Sequence, residues 1–244
     1  MSAAVTLSGV GKSFGARELF RDVSFDVQEG EVFVVLGGSG CGKSTLMRLM
    51  IGLDRPNTGQ IMVLGHDSAR KPDLIRPMIG VMFQSGALFG SLSVLENVML
   101  PLKIFTDLPA QAQTEIARLK LALVGLREAE SLMPAEISGG MARRAAIARA
   151  LALDPPLLFL DEPSAGLDPI TSAGLDRLIL DLRDMLGATF IVVTHELPSI
   201  LAIADRCVML DAKARGMVAL GRPRELQAKS PNATVHAFFN REML

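Results

Sequence analysis

Val32-Phe33-Val34-Val35-Leu36-Gly37-Gly38-Ser39-Gly40-Cys41-Gly42-Lys43-Ser44-Thr45 decides the fold. Its first five residues are an unbroken apolar run rich in β-branched side chains, the pattern of a strand buried on both faces of a parallel sheet. The next nine fit G-x-x-x-x-G-K-[ST], and Leu46 to Ile51 then reads as a helix that stops at Gly52. Strand, glycine loop and helix in that order make a phosphate cradle. The glycines let backbone N–H groups turn inward around phosphate oxygens, and the helix start adds partial positive charge. Gly37, Gly38, Ser39, Gly40, Cys41, Gly42, Lys43, Ser44 and Thr45 are therefore candidate phosphate contacts. Lys43 is expected to reach the β and γ phosphates, and the Ser44 hydroxyl to ligate Mg²⁺.

Before this unit, the alternation in Val5 to Val10 and in Val23 to Val27 predicts half-exposed antiparallel strands separated by polar turns. After it, short strands are expected near Gln60 to Leu64 and Ile79 to Phe83. From Ser93 to Leu151 the pattern turns helical, near Val94 to Ile104, Pro109 to Val124 and Gly140 to Leu153, with breaks at Pro101, Pro109 and Pro134. The βα alternation resumes with Leu157 to Leu160, a long helix from Asp168 to Met185, and a strand at Thr189 to Val193. Strands near Arg206 to Leu210 and Gly216 to Leu220 and two short helices close the chain. The class is α/β, with a parallel sheet enclosing a helical insertion in sequence. The buried strand Leu157 to Leu160 delivers Asp161 and Glu162 to its C-terminal end, where open α/β sheets place their ligands. Asp161 is expected to hold the metal through water, and Glu162 to accept a proton from an attacking water as general base.

Composition excludes several classes. The 244 residues suffice for a sizeable core, and 49% hydrophobic against 21% charged residues argues against disorder. A net charge of -1 gives no electrostatic case for nucleic acid. Two cysteines, Cys41 and Cys207, do not make a disulfide framework and suit a reducing compartment. The longest uncharged stretch, Pro77 to Leu95, is interrupted by Gln84, Ser85, Gly86, Gly90 and Ser91, so no membrane helix is expected there. The opening MSAAVTLSGVGKSFG has no basic stretch followed by an apolar core, so the protein is expected in the cytosol. His66 and His236 are read as surface or packing residues.

Ile137-Ser138-Gly139-Gly140-Met141 is another capped, glycine-bearing helix entry able to present N–H groups to an anion. Alone it is an ordinary helix start. In position it resembles the signature of ABC ATPases, usually Leu-Ser-Gly-Gly-Gln. Gln84, after Phe83, resembles the Q-loop of that family. Ser164-Ala165-Gly166-Leu167-Asp168 resembles the D-loop, and Thr194-His195-Glu196 the switch histidine. Order and spacing match over about Val5 to Gly221. The resemblance implies a P-loop NTPase core of ABC ATPase type with an antiparallel β subdomain and an inserted helical subdomain. It divides one ABC ATPase domain into a core at 1–84 and 155–221, a helical signature subdomain at 85–154 and a tail at 222–244. It further implies ATP and Mg²⁺, with ATP sandwiched between the phosphate loop of one copy and the signature helix of another in a head-to-tail homodimer. Ser138, Gly139 and Gly140 would meet the γ-phosphate across that interface. His195 would stabilise developing charge, Gln84 would sense the metal and the attacking water, and Asp168 would shape the dimer contact. Phe14, otherwise an aromatic of the edge sheet, matches the family's adenine-stacking position. Met141 departs from the usual Gln and loses an amide there.

The runs Ser138 to Arg144, Phe83 to Phe89 and Asp161 to Ile170 look like those of the ATPases serving MCE-type lipid transporters, which move phospholipids or other hydrophobic molecules between bacterial membranes. This implies a transmembrane permease, an MCE-domain substrate-binding protein, a small accessory protein, and a place on the cytoplasmic face of the inner membrane. Neither nucleic acid nor direct contact with lipid is implied. Transport of another substrate class, or a non-transport ABC role, stays open. Leu88, Phe89, Leu92 and Leu95 either receive a partner helix or pack in the core. Arg143 and Arg144 read as a basic helix face. The apolar run Val235 to Asn240 is expected to pack back on the body.

Overall fold

A computed structural model describes residues 2–84 and 86–241. In chain order its elements are β1 (Ala3–Phe14), β2 (Arg17–Gln28), β3 (Val32–Gly37), α1 (Lys43–Met50), β4 (Thr58–Val63), β5 (His66–Asp67), α2 (Pro72–Ile75), β6 (Ile79–Met82), α3 (Val94–Phe105), α4 (Ala110–Leu123) and α5 (Gly139–Ala150). They continue with β7 (Leu157–Asp161), α6 (Pro169–Leu186), β8 (Thr189–Val193), α7 (Leu197–Ile203), β9 (Arg206–Asp211), β10 (Gly216–Gly221), α8 (Pro223–Lys229) and α9 (Ala233–Asn240).

The six-stranded sheet runs β10-β9-β3-β8-β7-β6, parallel from β9 to β6 with β10 antiparallel at its edge. The central strands β3, β7 and β8 are buried at every position, and alternate residues serve opposite cores. Val32, Val34, Leu36, Leu158 and Leu160 join α3, α4, α5 and α6 in one core. Phe33, Val35, Leu157 and Phe159 join α1 and the second sheet in the other. This two-sided burial explains the unbroken apolar runs. The second sheet, β2-β1-β4-β5, buries Val5, Leu7 and Val10 of β1 with Phe20, Val23 and Val27 of β2.

β1 and β2 extend well past the expected alternating runs. Register shifts between Leu7 and Val10 and again between Val10 and Lys12 re-phase the side chains, so period-two alternation ends before the strand does. The expected break at Pro101 does not occur, and α3 runs straight through it. Pro101 withdraws one helical N–H, but a capping box at Ser93 and Glu96 and the buried Val94, Val98, Met99 and Leu102 hold the helix. Pro109 and Pro134 do open new elements, as expected. α2 and α7 are too short for a periodic signal and were not expected. Val235 and Phe239 of α9 are buried in the first core, so the tail packs back on the body. Both cysteines are free and buried. Among the described residues no helix is long and apolar enough to cross a membrane.

Candidate active site

Strand register gathers the site. Val35 of β3 and Asp161 of β7 both lie opposite Val193 of the intervening β8, and Met82 of β6 lies opposite Leu160. The chain therefore leaves the sheet along one edge at each of these strands: at Gly37, the last residue of β3, and through Gln84 after β6, Glu162 after β7 and His195 after β8.

The cradle needs glycine where its backbone is crowded. At Gly37, φ is +146° and an added Cβ would lie 2.3 Å from the Leu210 carbonyl oxygen. At Gly42, φ is +104° and a Cβ would meet the Phe20 ring at 2.7 Å. α1 starts at once with Lys43, whose Nζ donates to the carbonyls of Gly37 at 2.9 Å and Gly38 at 3.1 Å. The Cys41 thiol is turned under the loop, and burial pushes its pKa up. Phe14, at the end of β1, is 54% exposed, and Lys12 Nζ stands 5.1 Å from its ring centroid. A cleft of about 440 Å³ joins Phe14 to Gly40 and to Gly42, Lys43, Ser44 and Thr45. Arg17 and Leu19 line it too. They passed unnoticed in the sequence because the hairpin turn after Phe14 brings them there.

Across the cradle, Ser44 Oγ donates to Asp161 Oδ1 over a long 3.4 Å. Burial, followed by the Glu162 charge, holds the Asp161 carboxyl above the ordinary carboxylate range, against the opposing effects of Ser44 and Lys43. A hydroxyl and a buried carboxylate short of positive charge are the hard oxygen donors that suit Mg²⁺.

Glu162 sits on a strained turn. Its φ is +49°, in the left-handed region that costs a non-glycine residue roughly 1–2 kcal/mol. Its N–H donates to the Val193 carbonyl at 2.8 Å, and the turn sets Oε1 2.8 Å from His195 Nδ1. Oε2 is buried with no hydrogen-bond partner. A buried acceptor left without a donor costs about 1–3 kcal/mol, and here it stands beside the metal-suited pair, placed to take a proton from water.

Gln84 is exposed on the loop after β6, and Ser85 lies outside the described residues. Just beyond, the carbonyls of Gly86 and Ala87 each accept from the Arg149 guanidinium on α5 at 2.8 Å. Burial pushes the Arg149 pKa down. This clamp between the Q-loop and α5 was not legible in the sequence.

Ser138 caps α5, accepting from the Met141 N–H at 3.2 Å, and both Ser138 and Gly139 are exposed. Their inner neighbours belong to the D-loop side of the chain. A Cβ on Gly140 would lie 2.6 Å from Thr171 Cγ2, and one on Gly139 would lie 3.6 Å from Leu167. The signature turn therefore sits against its own D-loop, and the cleft at the cradle contains none of it. Asp168 caps α6, accepting from the N–H groups of Ile170 and Thr171 at 3.0 Å each. The Thr171 hydroxyl also donates to it and is the first cause of its lowered pKa. Arg143 and Arg144 do not form the expected basic face. Arg143 is buried, donating one N–H to the Ala165 carbonyl at 3.2 Å while its Nη1 has no partner. Arg144 donates to the Val124 carbonyl at 3.0 Å.

The ABC transporter family pattern matches residues 20–165. The chain is 42% identical over 244 residues to the probable ribonucleotide transport ATP-binding protein mkl of Mycobacterium leprae, covering 98% of this chain and 70% of that protein. It is also 42% identical over 240 residues to the intermembrane phospholipid transport system ATP-binding protein MlaF of Escherichia coli K12, covering 97% and 88%. Among solved structures, cbiO1 from Clostridium perfringens, part of the ABC transporter complex cbiONQ, aligns with a TM-score of 0.85 at 26% identity over 94% of this chain and 92% of that one. The ATP-binding cassette MJ0796, in a dimeric post-hydrolysis state with ADP and Pi, aligns with a TM-score of 0.79 at 29% identity over 89% and 98%. Cradle, acidic strand end and these likenesses agree, and the chain belongs to the ABC transporter family as one of its ATP-binding, ATP-hydrolysing subunits.

Proposed function

We propose that this ATPase powers an MCE-type transporter moving phospholipids or other hydrophobic molecules across a bacterial envelope, as a head-to-tail homodimer under a transmembrane permease. The observation that carries the dimer is the outward-facing signature turn, which packs on its own D-loop and away from its own cradle. A second copy completes the site. Ser138, Gly139 and Gly140 meet the γ-phosphate bound in the partner's cradle.

Within each site Lys43 and the loop N–H groups hold the phosphates, and Phe14 stacks on adenine. Ser44, Asp161 and Gln84 hold Mg²⁺, which when bound neutralises phosphate charge. Glu162 accepts the proton of the attacking water at Oε2. His195, held by Oε1, steadies charge at the γ-phosphate. The chain works as one domain, with residues 1–84 and 155–221 as core, 85–154 as the helical signature subdomain and 222–244 as tail.

The permease has a place to dock. A groove of about 230 Å³ is walled by Ile51, Leu53, Val81, Phe83, Pro101 and Phe105, with Arg76 and Arg149 at its edge. It suits a short amphipathic helix. The earlier candidates lie outside it: Leu88 and Leu95 pack on the core, and Phe89 is exposed elsewhere. Docking there sets the chain on the cytoplasmic face of the inner membrane. An MCE-domain protein and a small accessory protein complete the assembly.

The lipid cargo rests on the likeness to MlaF, which the chain spans more fully than mkl. The equal identity to mkl supports a second reading, nucleotide cargo. Affinity purification from membranes separates them. Recovery of a permease, an MCE-domain protein and phospholipid supports the first. Recovery of a permease with a soluble binding protein and no lipid overturns it.

A further inference from the structure

The two loops that carry Glu162 and His195 meet a second time, through residues with no part in the cradle. Ser164 lies two residues past Glu162, and Ser199 lies four past His195 on α7. Behind them Asp176 projects from α6. All three are buried, at 3%, 3% and 7% exposure. Ser199 Oγ donates to Asp176 Oδ2 at 2.8 Å and stands 3.5 Å from Ser164 Oγ.

Chemistry fixes the direction of this chain. An ionised carboxylate only accepts, so the Ser199 proton goes to Asp176, and the Ser199 oxygen is left to accept from Ser164. Burying a carboxylate against one hydroxyl is costly. Burial pushes the Asp176 pKa up, and Ser199 opposes it. Apolar side chains would fill the same space at lower cost. The 3.5 Å gap exceeds the usual 2.5–3.0 Å of a hydroxyl hydrogen bond. A cleft of about 280 Å³ beside it, lined by Ser164, Leu167, Asp176, Glu196 and Ser199, leaves the D-loop room to close that gap.

We propose that Asp176 and Ser199 are positioning residues, which anchor Ser164 and so hold the D-loop to the helix behind His195. When a second copy engages the D-loop, the anchor keeps Glu162 and His195 in their 2.8 Å pairing. The inference rests on the reading of Glu162 as general base in a paired site.

The test is ATP turnover, KM and thermal unfolding of the purified protein. Ser199→Ala and Asp176→Leu should each lower kcat roughly 5- to 20-fold with KM within about twofold, since small misplacements of reacting groups cost rate more than binding. Asp176→Asn keeps an acceptor and should retain at least half of kcat. The Ser199→Ala/Asp176→Leu pair should lose no more than the worse single variant. Unchanged kcat in Ser199→Ala, equal losses in Asp176→Asn and Asp176→Leu, or multiplying losses in the pair overturn the relay. If Asp176→Leu does not fold, Ser199→Ala and Asp176→Asn decide between the same outcomes. Glu162→Gln separates the two readings. If it is inactive while Ser199→Ala turns over normally, the base stands and the relay falls. If it turns over normally, the base assignment itself falls.

Discussion

The loop Gly37 to Thr45 and the turn Ile137 to Met141 are both glycine-bearing helix entries, yet they are finished in opposite ways. The first is completed within the chain. Leu210 and Phe20 crowd its glycines from behind, and Asp161 reaches Ser44 from the next strand but one. The second is supported from behind by Leu167 and Thr171 and faces outward with Ser138 and Gly139 exposed. In the function proposed above, these two helix starts of similar chemistry serve different phosphates, one bound by the chain itself and one brought by its partner. Variants on the first should change what one chain binds. Variants on the second should change what two chains do together.

The sharpest way to separate binding from chemistry on the cradle side is Glu162→Gln. Removing the proton acceptor should lower ATP hydrolysis by roughly 10²–10⁴-fold while nucleotide binding persists, measured as turnover and as equilibrium binding. A normal rate would remove the general-base assignment. Lys43→Ala should weaken ATP binding by roughly 10- to 100-fold, the worth of a charge-assisted contact of about 1.5–3 kcal/mol. Titration with a fluorescent ATP analogue would show it, and unchanged affinity would place the phosphates elsewhere. The smallest effect belongs to the D-loop. Asp168→Ala removes the cap of α6 and should cost about 1 kcal/mol, lowering Tm by roughly 2–4 °C without altering ATP affinity. An affinity loss there would make Asp168 a direct nucleotide contact within one chain.

How much of this was legible depended on how local each signal is. The cradle could be read because strand, glycines and Lys43-Ser44 are contiguous and each residue has one physical task. The pairing of Glu162 with His195 could not, because it spans 33 positions and follows from the β7–β8 register and a left-handed turn at Glu162. α5 hid its basic residues for another reason. It is buried on several sides, with Arg143 and Ala145 to Ala148 enclosed, so no polar face marks where a cation should point. Arg143, read as part of a basic helix face, holds the D-loop, and Arg149, which nothing in the sequence singles out, holds the Q-loop. Pro101 misled because local propensity yields to packing once both ends of α3 are fixed.

In the proposed dimer, ATP joins the cradle of one copy to the signature turn of another. Its most direct test is the solution mass of the Glu162→Gln protein by sedimentation or light scattering, with ATP, with ADP and without nucleotide. ATP should double the mass and ADP should not. Adding Gly139→Asp should abolish the doubling while ATP still binds, because the new carboxylate meets the partner's γ-phosphate. A protein that binds ATP and keeps the mass of one chain would rule out that dimer, as would a doubling that Gly139→Asp leaves intact.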